Sequence, residues 1–121
     1  MIGGEGRRPE RVAHSVLREV SALLLRAIKD PRLKGVTLTE VRVTDDLRHA
    51  QVFFSHLEGA QRANQAAAGF ESARGFIRRH LVRALGLRHP LEVAFEFDAS
   101  GERAARIDRL LRQQQPKEPP A

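Results

Sequence analysis

The sequence predicts an α+β domain of two layers, with helices covering one face of a small sheet. Three observations carry this expectation. Apolar side chains recur every four residues over 12–28, they alternate over 36–57 and again over 91–97, and they return to helical spacing over 64–85. Each element has one apolar face to bury, and a two-layer stack buries all of them together.

The first helix opens at Arg7-Arg8-Pro9-Glu10, where Pro suits the first turn and the acid suits the positive end of the helix dipole. Val12, Val16, Val20, Leu24 and Ile28 form its stripe, widened by Leu17 and Ala27. Asp30-Pro31 stops it, because a residue preceding Pro avoids the α region. Val36, Leu38, Val41 and Val43 then alternate in two phases, which predicts a bulge near Thr39-Glu40. Thr44 to Leu47 makes a turn, and Ala50, Val52 and Phe54 continue as a second strand ending near Leu57, so the pair forms a hairpin.

Glu58-Gly59 breaks the strand, and Ala66, Phe70, Ala73, Ile77, Leu81 and Leu85 line one face of a long helical segment from Asn64 to Leu85. Gly86 fits its C-terminal cap. Gly69 and Gly75 lie inside it, each costing about 1 kcal/mol relative to alanine. They predict a kink or a close approach, and the segment is read as helix–kink–helix with the kink at Ala73-Arg74-Gly75. Pro90 restarts the chain, and Leu91, Val93, Phe95 and Phe97 alternate as a third strand. Ala104, Ile107, Leu110 and Leu111 space as a short last helix. Residues 1–6 are Gly-rich and read as a flexible N-terminus, residues 7–112 as the domain, and residues 113–121 as a polar, Pro-rich disordered tail.

Of the 121 residues 41% are hydrophobic and 30% charged, which suits one folded domain. The net charge of +6 favours polyanionic partners. The absence of cysteine excludes a disulfide framework and thiolate metal sites. Residues 1–10 lack the apolar core of a signal peptide, and no apolar run approaches the roughly 18 residues of a membrane span. The expectation is a soluble cytoplasmic protein with no membrane partner.

Catalysis needs reactive groups that converge, and the sequence offers none: no Walker loop, no Gly-x-Ser-x-Gly elbow, no Rossmann fingerprint. Asp45-Asp46 is a carboxylate pair in a turn, where Asp serves local hydrogen bonding. The five histidines (14, 49, 56, 80 and 89) show no metal-binding spacing, and His49 and His56 fall on opposite faces of one strand. No catalytic residue, metal site, cofactor or small-molecule substrate is expected. Arg74-Gly75-Phe76 matches the opening letters of the RNA-recognition-motif signature, but the aromatics that should follow are missing and the spacing is helical. Gly3-x-x-Gly6 matches a phosphate loop in letters only, since it precedes the first helix.

The arginines are more informative. Arg79 and Arg83 lie nearly opposite the buried stripe of the long helix, and Arg74 and Arg78 flank it. With Arg62, Arg88 and His80 they are expected to form a cationic surface around the kink, suited to phosphate because guanidinium donates two hydrogen bonds at once. A second set, Arg103, Arg106, Arg109 and Arg112, is diluted by Glu102 and Asp108.

Arg11 to Val20, Asp30-Pro31-Arg32, Val36 to Val41, Thr44 to Leu47, Ala50-x-Val52-Phe53, Ala73-Arg74-Gly75 and Arg106-Ile107-Asp108-x-Leu110-Leu111, in this order, resemble the ribosome-binding factor A family. The resemblance covers about residues 7–112. It implies a KH-like fold of type II order (α-β-β-α-kink-α-β) in which Ala73 and Gly75 mark the kink between two helices. It also implies an assembly factor that binds the free small (30S) ribosomal subunit and its 16S rRNA, assists late maturation and 5′-end processing, and supports growth in the cold. Such a factor is expected to act as a monomer without enzymatic activity. The residues by themselves leave open a generic KH-like single-strand RNA binder and a protein-interaction domain.

Overall fold

The computed structural model describes residues 8–101, 110 and 111. Its elements are α1 (Pro9–Arg26), β1 (Val36–Val43), β2 (His49–His56), α2 (Ala63–Leu85) and β3 (Glu92–Phe97), with 3-10 turns at Pro31–Leu33 and Ala60–Arg62. The architecture is α+β with the KH-like order. The sheet order is β1-β2-β3, so β2 is central. It pairs antiparallel with β1 through the hairpin and parallel with β3, with α2 as the crossover that a parallel pair requires.

The register shifts between Leu38 and Glu40, which places the bulge where the change of phase predicts it. On either side of it Leu38 pairs with Phe54 and Val41 with Val52, so both halves of β1 keep their apolar residues on the helix side. The core joins Val12, Val16, Val20 and Leu23 of α1, Ala50, Val52 and Phe54 of β2, Leu91 and Val93, and the stripe of α2. Phe70 is fully buried, stacked on Phe95 at 4.2 Å and tilted against Phe54 at 5.1 Å. Truncating such a ring costs about 3–5 kcal/mol.

Several expectations shift by a few residues. α1 ends at Arg26, short of Ile28, and Leu23 rather than Leu24 is fully buried. The chain turns early because Asp30 must leave the α region before Pro31, and the Ala27 and Ile28 amides both donate to the Leu23 carbonyl. β2 stops at His56, not Leu57, which is exposed. The 3-10 turn at 31–33 has no counterpart in the sequence reading; Asp30 caps it by accepting the Arg32 amide at 2.9 Å.

The largest correction concerns α2. It is one continuous helix of 23 residues with Ala73 and Gly75 inside it, where the sequence predicts helix–kink–helix. Ala66 and Phe70 before Gly75, and Ile77, Leu81 and Leu85 after it, are all buried on one face. That shared burial offsets the propensity cost of the glycines. The close approach that the glycines also predict is present, but at Gly69: a Cβ there would meet Leu33 Cγ at 2.9 Å and Arg32 Cβ at 3.2 Å. At Gly75 it would meet only Arg79 Nη1, at 3.3 Å. Gly86 closes α2 in the left-handed conformation, as expected for its cap.

The expected flexible N-terminus at 1–6, the expected last helix at 104–111 apart from residues 110 and 111, its arginines, and the expected tail at 113–121 lie outside the described residues.

Candidate nucleic-acid interface

At about 3.6 residues per turn, the buried stripe of α2 leaves two shoulders. One, beside β3, carries Arg74 and Arg78. The other, beside α1, carries His80 and Ala84, and Arg79 and Arg83 lie on the outer surface between the shoulders.

The two shoulders differ electrostatically. Arg74 donates to Glu71 at 2.7 Å, and Arg78 lies 3.3 Å from a Glu92 oxygen on β3. Both stems are pressed against the protein, and each Nε is buried without a hydrogen-bond partner. These cations are held locally and largely balanced. Arg79 and Arg83 are exposed and carry no ion pair among the described residues. Their guanidiniums project a positive field into solvent, the condition for long-range attraction of a polyanion.

The other expected members are scattered. Arg62 sits at the opposite end of α2, roughly 30 Å from Arg83 at about 1.5 Å of rise per residue, ion-paired to Glu58 at 2.8 Å and bonded to Gln65. Arg88 is exposed on the loop after α2. His80 turns away from the outer arginines and meets Glu19 of α1 at 2.8 Å, tying the two helices together. Arg62 therefore lies apart from the arginines in the second half of α2. Arg79 and Arg83 stand apart as the exposed pair, and the kink positions Ala73 and Gly75 lie one turn before them.

The groups that could have suggested chemistry are occupied locally. Asp46 accepts from the Thr44 hydroxyl at 2.7 Å and the Arg48 amide at 3.1 Å, and these bonds hold its carboxyl below the usual range. It is a turn residue, as expected. His56 Nδ1 accepts the Glu58 amide at 2.9 Å. Among the described residues no three metal-ligating side chains cluster, and no helix is long and apolar enough to cross a membrane. On the helix-free face of the sheet, Arg42 lies over the Phe53 ring at 5.2 Å and is ion-paired to Glu40 at 2.7 Å. This face is internally balanced.

Fold and site together define a KH-like α+β domain that presents an exposed arginine pair on its longest helix. A sequence model of the ribosome-binding factor A family matches residues 8–111. Ribosome-binding factor A of Syntrophobacter fumaroxidans is 42% identical over 111 residues, covering 90% of this chain and 95% of that one. The crystal structure of ribosome-binding factor A from Thermus thermophilus superposes with a TM-score of 0.63 at 19% identity, covering 74% of this chain and 94% of that one. A Thermus thermophilus homology model of the factor, fitted into a cryo-EM map of its complex with the 30S subunit, superposes at 0.59 with 22% identity, covering 72% and 92%. This chain belongs to the ribosome-binding factor A family.

Proposed function

We propose that this protein is a ribosome assembly factor. It binds the free 30S subunit through 16S rRNA and assists late maturation, including processing of the rRNA 5′ end, as a cytoplasmic monomer that needs no cofactor and catalyses no reaction. The observation that carries this reading is the family match across residues 8–111. The 30S complex of the Thermus thermophilus protein supports the choice of subunit. The net charge of +6 and the exposed Arg79 and Arg83 supply the field that phosphate backbones recognise.

Sedimentation of a cell extract tests the partner. The protein should travel with free small subunits and be scarce on assembled ribosomes; recovery only in ribosome-free fractions at low salt would overturn the reading. Arg79→Glu with Arg83→Glu should weaken pelleting with purified 30S subunits at least about tenfold. It should also flatten the dependence of log affinity on log salt by about 2, one for each lost phosphate contact. The double variant should melt like the parent, because neither side chain touches the core.

A further inference from the structure

α1 and α2 lie side by side and antiparallel, with Arg11 near Ala84 and Glu19 near His80. Between them, on the surface away from the sheet, runs a cleft of about 250 Å³ lined by Arg11, Ser15 and Arg18 of α1 and Ala84 of α2. Arg83 precedes Ala84 on the outer surface of α2, and Arg79 lies one turn earlier with its guanidinium against Gly75. We propose that the RNA backbone is seated in this cleft, gripped by Arg11 and Arg18 and running on to Arg83 and Arg79 on the outer surface of α2, and not along the β3 side of α2.

Charge complementarity names the occupant. None of the four arginines carries an ion pair among the described residues, and all four are exposed. The cleft's one carboxylate, Glu19, is already held by His80 at 2.8 Å. Ser15 and Ala84 keep the floor low, so a chain can approach both helix surfaces. Arg11 and Arg18 are about 10 Å apart along α1, and Arg79 and Arg83 about 6 Å apart along α2, at about 1.5 Å per residue. Cations so spaced do not converge on one small anion. They match a row of charges, as a phosphodiester backbone provides. On the β3 side the equivalent cations are balanced by Glu71 and Glu92. The cationic patch near the start of α2 is balanced likewise, Arg32 by Asp30 and Arg62 by Glu58.

This inference rests on the reading that the protein binds the 30S subunit, and the test separates the two. The full chain, an Arg11→Gln/Arg18→Gln variant and an Arg74→Gln/Arg78→Gln variant are pelleted with purified 30S subunits across a salt series, with thermal melts alongside. The α1 variant should bind about tenfold more weakly, with a salt slope shallower by about 2, and melt like the parent. The β3-side variant should bind within about twofold of the parent. If the parent itself fails to pellet at low salt, subunit binding falls and the cleft with it. If the parent pellets and the α1 variant matches it, the cleft alone is overturned. Equal losses in both variants would also overturn it, since bulk charge would then explain the binding. Should glutamine at 11 or 18 lower the melting temperature, Arg11→Lys/Arg18→Lys decides: restored pelleting supports a charge-reading cleft, and continued loss with a normal melt refutes it.

Discussion

The two halves of α2 do different work. The first half, up to Ala73, is packing: Ala66 and Phe70 are fully buried, and Gly69 lets the Pro31–Leu33 turn press against the helix backbone. The second half keeps the same buried stripe through Ile77, Leu81 and Leu85, but its outer surface carries Arg79 and Arg83, and only the tip of the Arg79 side chain approaches Gly75. Two glycines six residues apart therefore have opposite meanings. Gly69 exists because a neighbour is too close for a methyl group. Gly75 has no such neighbour, so its presence has to be explained by something other than packing within the domain.

Replacement by alanine breaks or sharpens this contrast most directly. Gly69→Ala should destabilise the protein by about 1–3 kcal/mol, because Leu33 is itself buried in the core and has little room to retreat. For a domain of this size that is on the order of 10 °C in Tm. An unchanged melt would mean that the turn moves off α2 freely, and the first half would lose its distinction from the second.

Gly75→Ala should do the reverse. Its nearest obstacle is the mobile tip of Arg79, so the methyl group is accommodated and the helix gains about 0.5–1 kcal/mol from propensity and from a less flexible unfolded chain. Because α2 is continuous through this position, the helix axis stays where it is, and 30S pelleting should change by less than about threefold. A destabilised variant in thermal melts would show that the backbone at Gly75 is not ordinary helix after all.

Much of this was legible in the residues, and what was not legible is instructive. The bulge could be read because a bulge must leave a change of phase, and Val36-Leu38 against Val41-Val43 records it. The cap could be read because few residues but glycine close a helix with positive φ. The family resemblance pointed to the KH-like order before the strand order was known. Which glycine is crowded could not be read, since that depends on Leu33, which reaches α2 only after the chain has passed through a whole hairpin. The ion pairing of the arginines could not be read for a related reason. Periodicity places Arg74 and Arg78 on a helix, but their balance depends on Glu92, which belongs to a strand edge. The joint cleft of Arg11 and Arg18 with Ala84 could not be read, because only the packing of α1 on α2 creates it. The Glu71 partner of Arg74 was within reach, three residues away on the same helix.

The smallest expected effect probes the turn that packs on the first half alone. Asp30 accepts from the Arg32 side chain at 2.7 Å and from its amide at 2.9 Å, and these bonds, the side-chain one foremost, hold its carboxyl below its usual value. Arg32 in turn reaches Ser72 at 3.1 Å, so the clamp ties the 3-10 turn to the first half of α2. A carboxyl depressed in the folded state contributes stability above its unfolded value of about 3.9, and that contribution is lost as pH falls through the lower, folded value. Acidification from about pH 5 toward about pH 2 should therefore loosen the 31–33 turn and the α2 backbone near Gly69 before the segment bearing Arg79 and Arg83. Carboxyl chemical shifts would report the depressed titration of Asp30, and amide exchange along α2 would report where protection is lost first. In Asp30→Asn the neutral side chain still accepts the Arg32 amide, so the turn should persist while its acid sensitivity disappears. Equal loss of protection along both halves in the parent would mean that the clamp does not set the order, and that α2 opens as one unit.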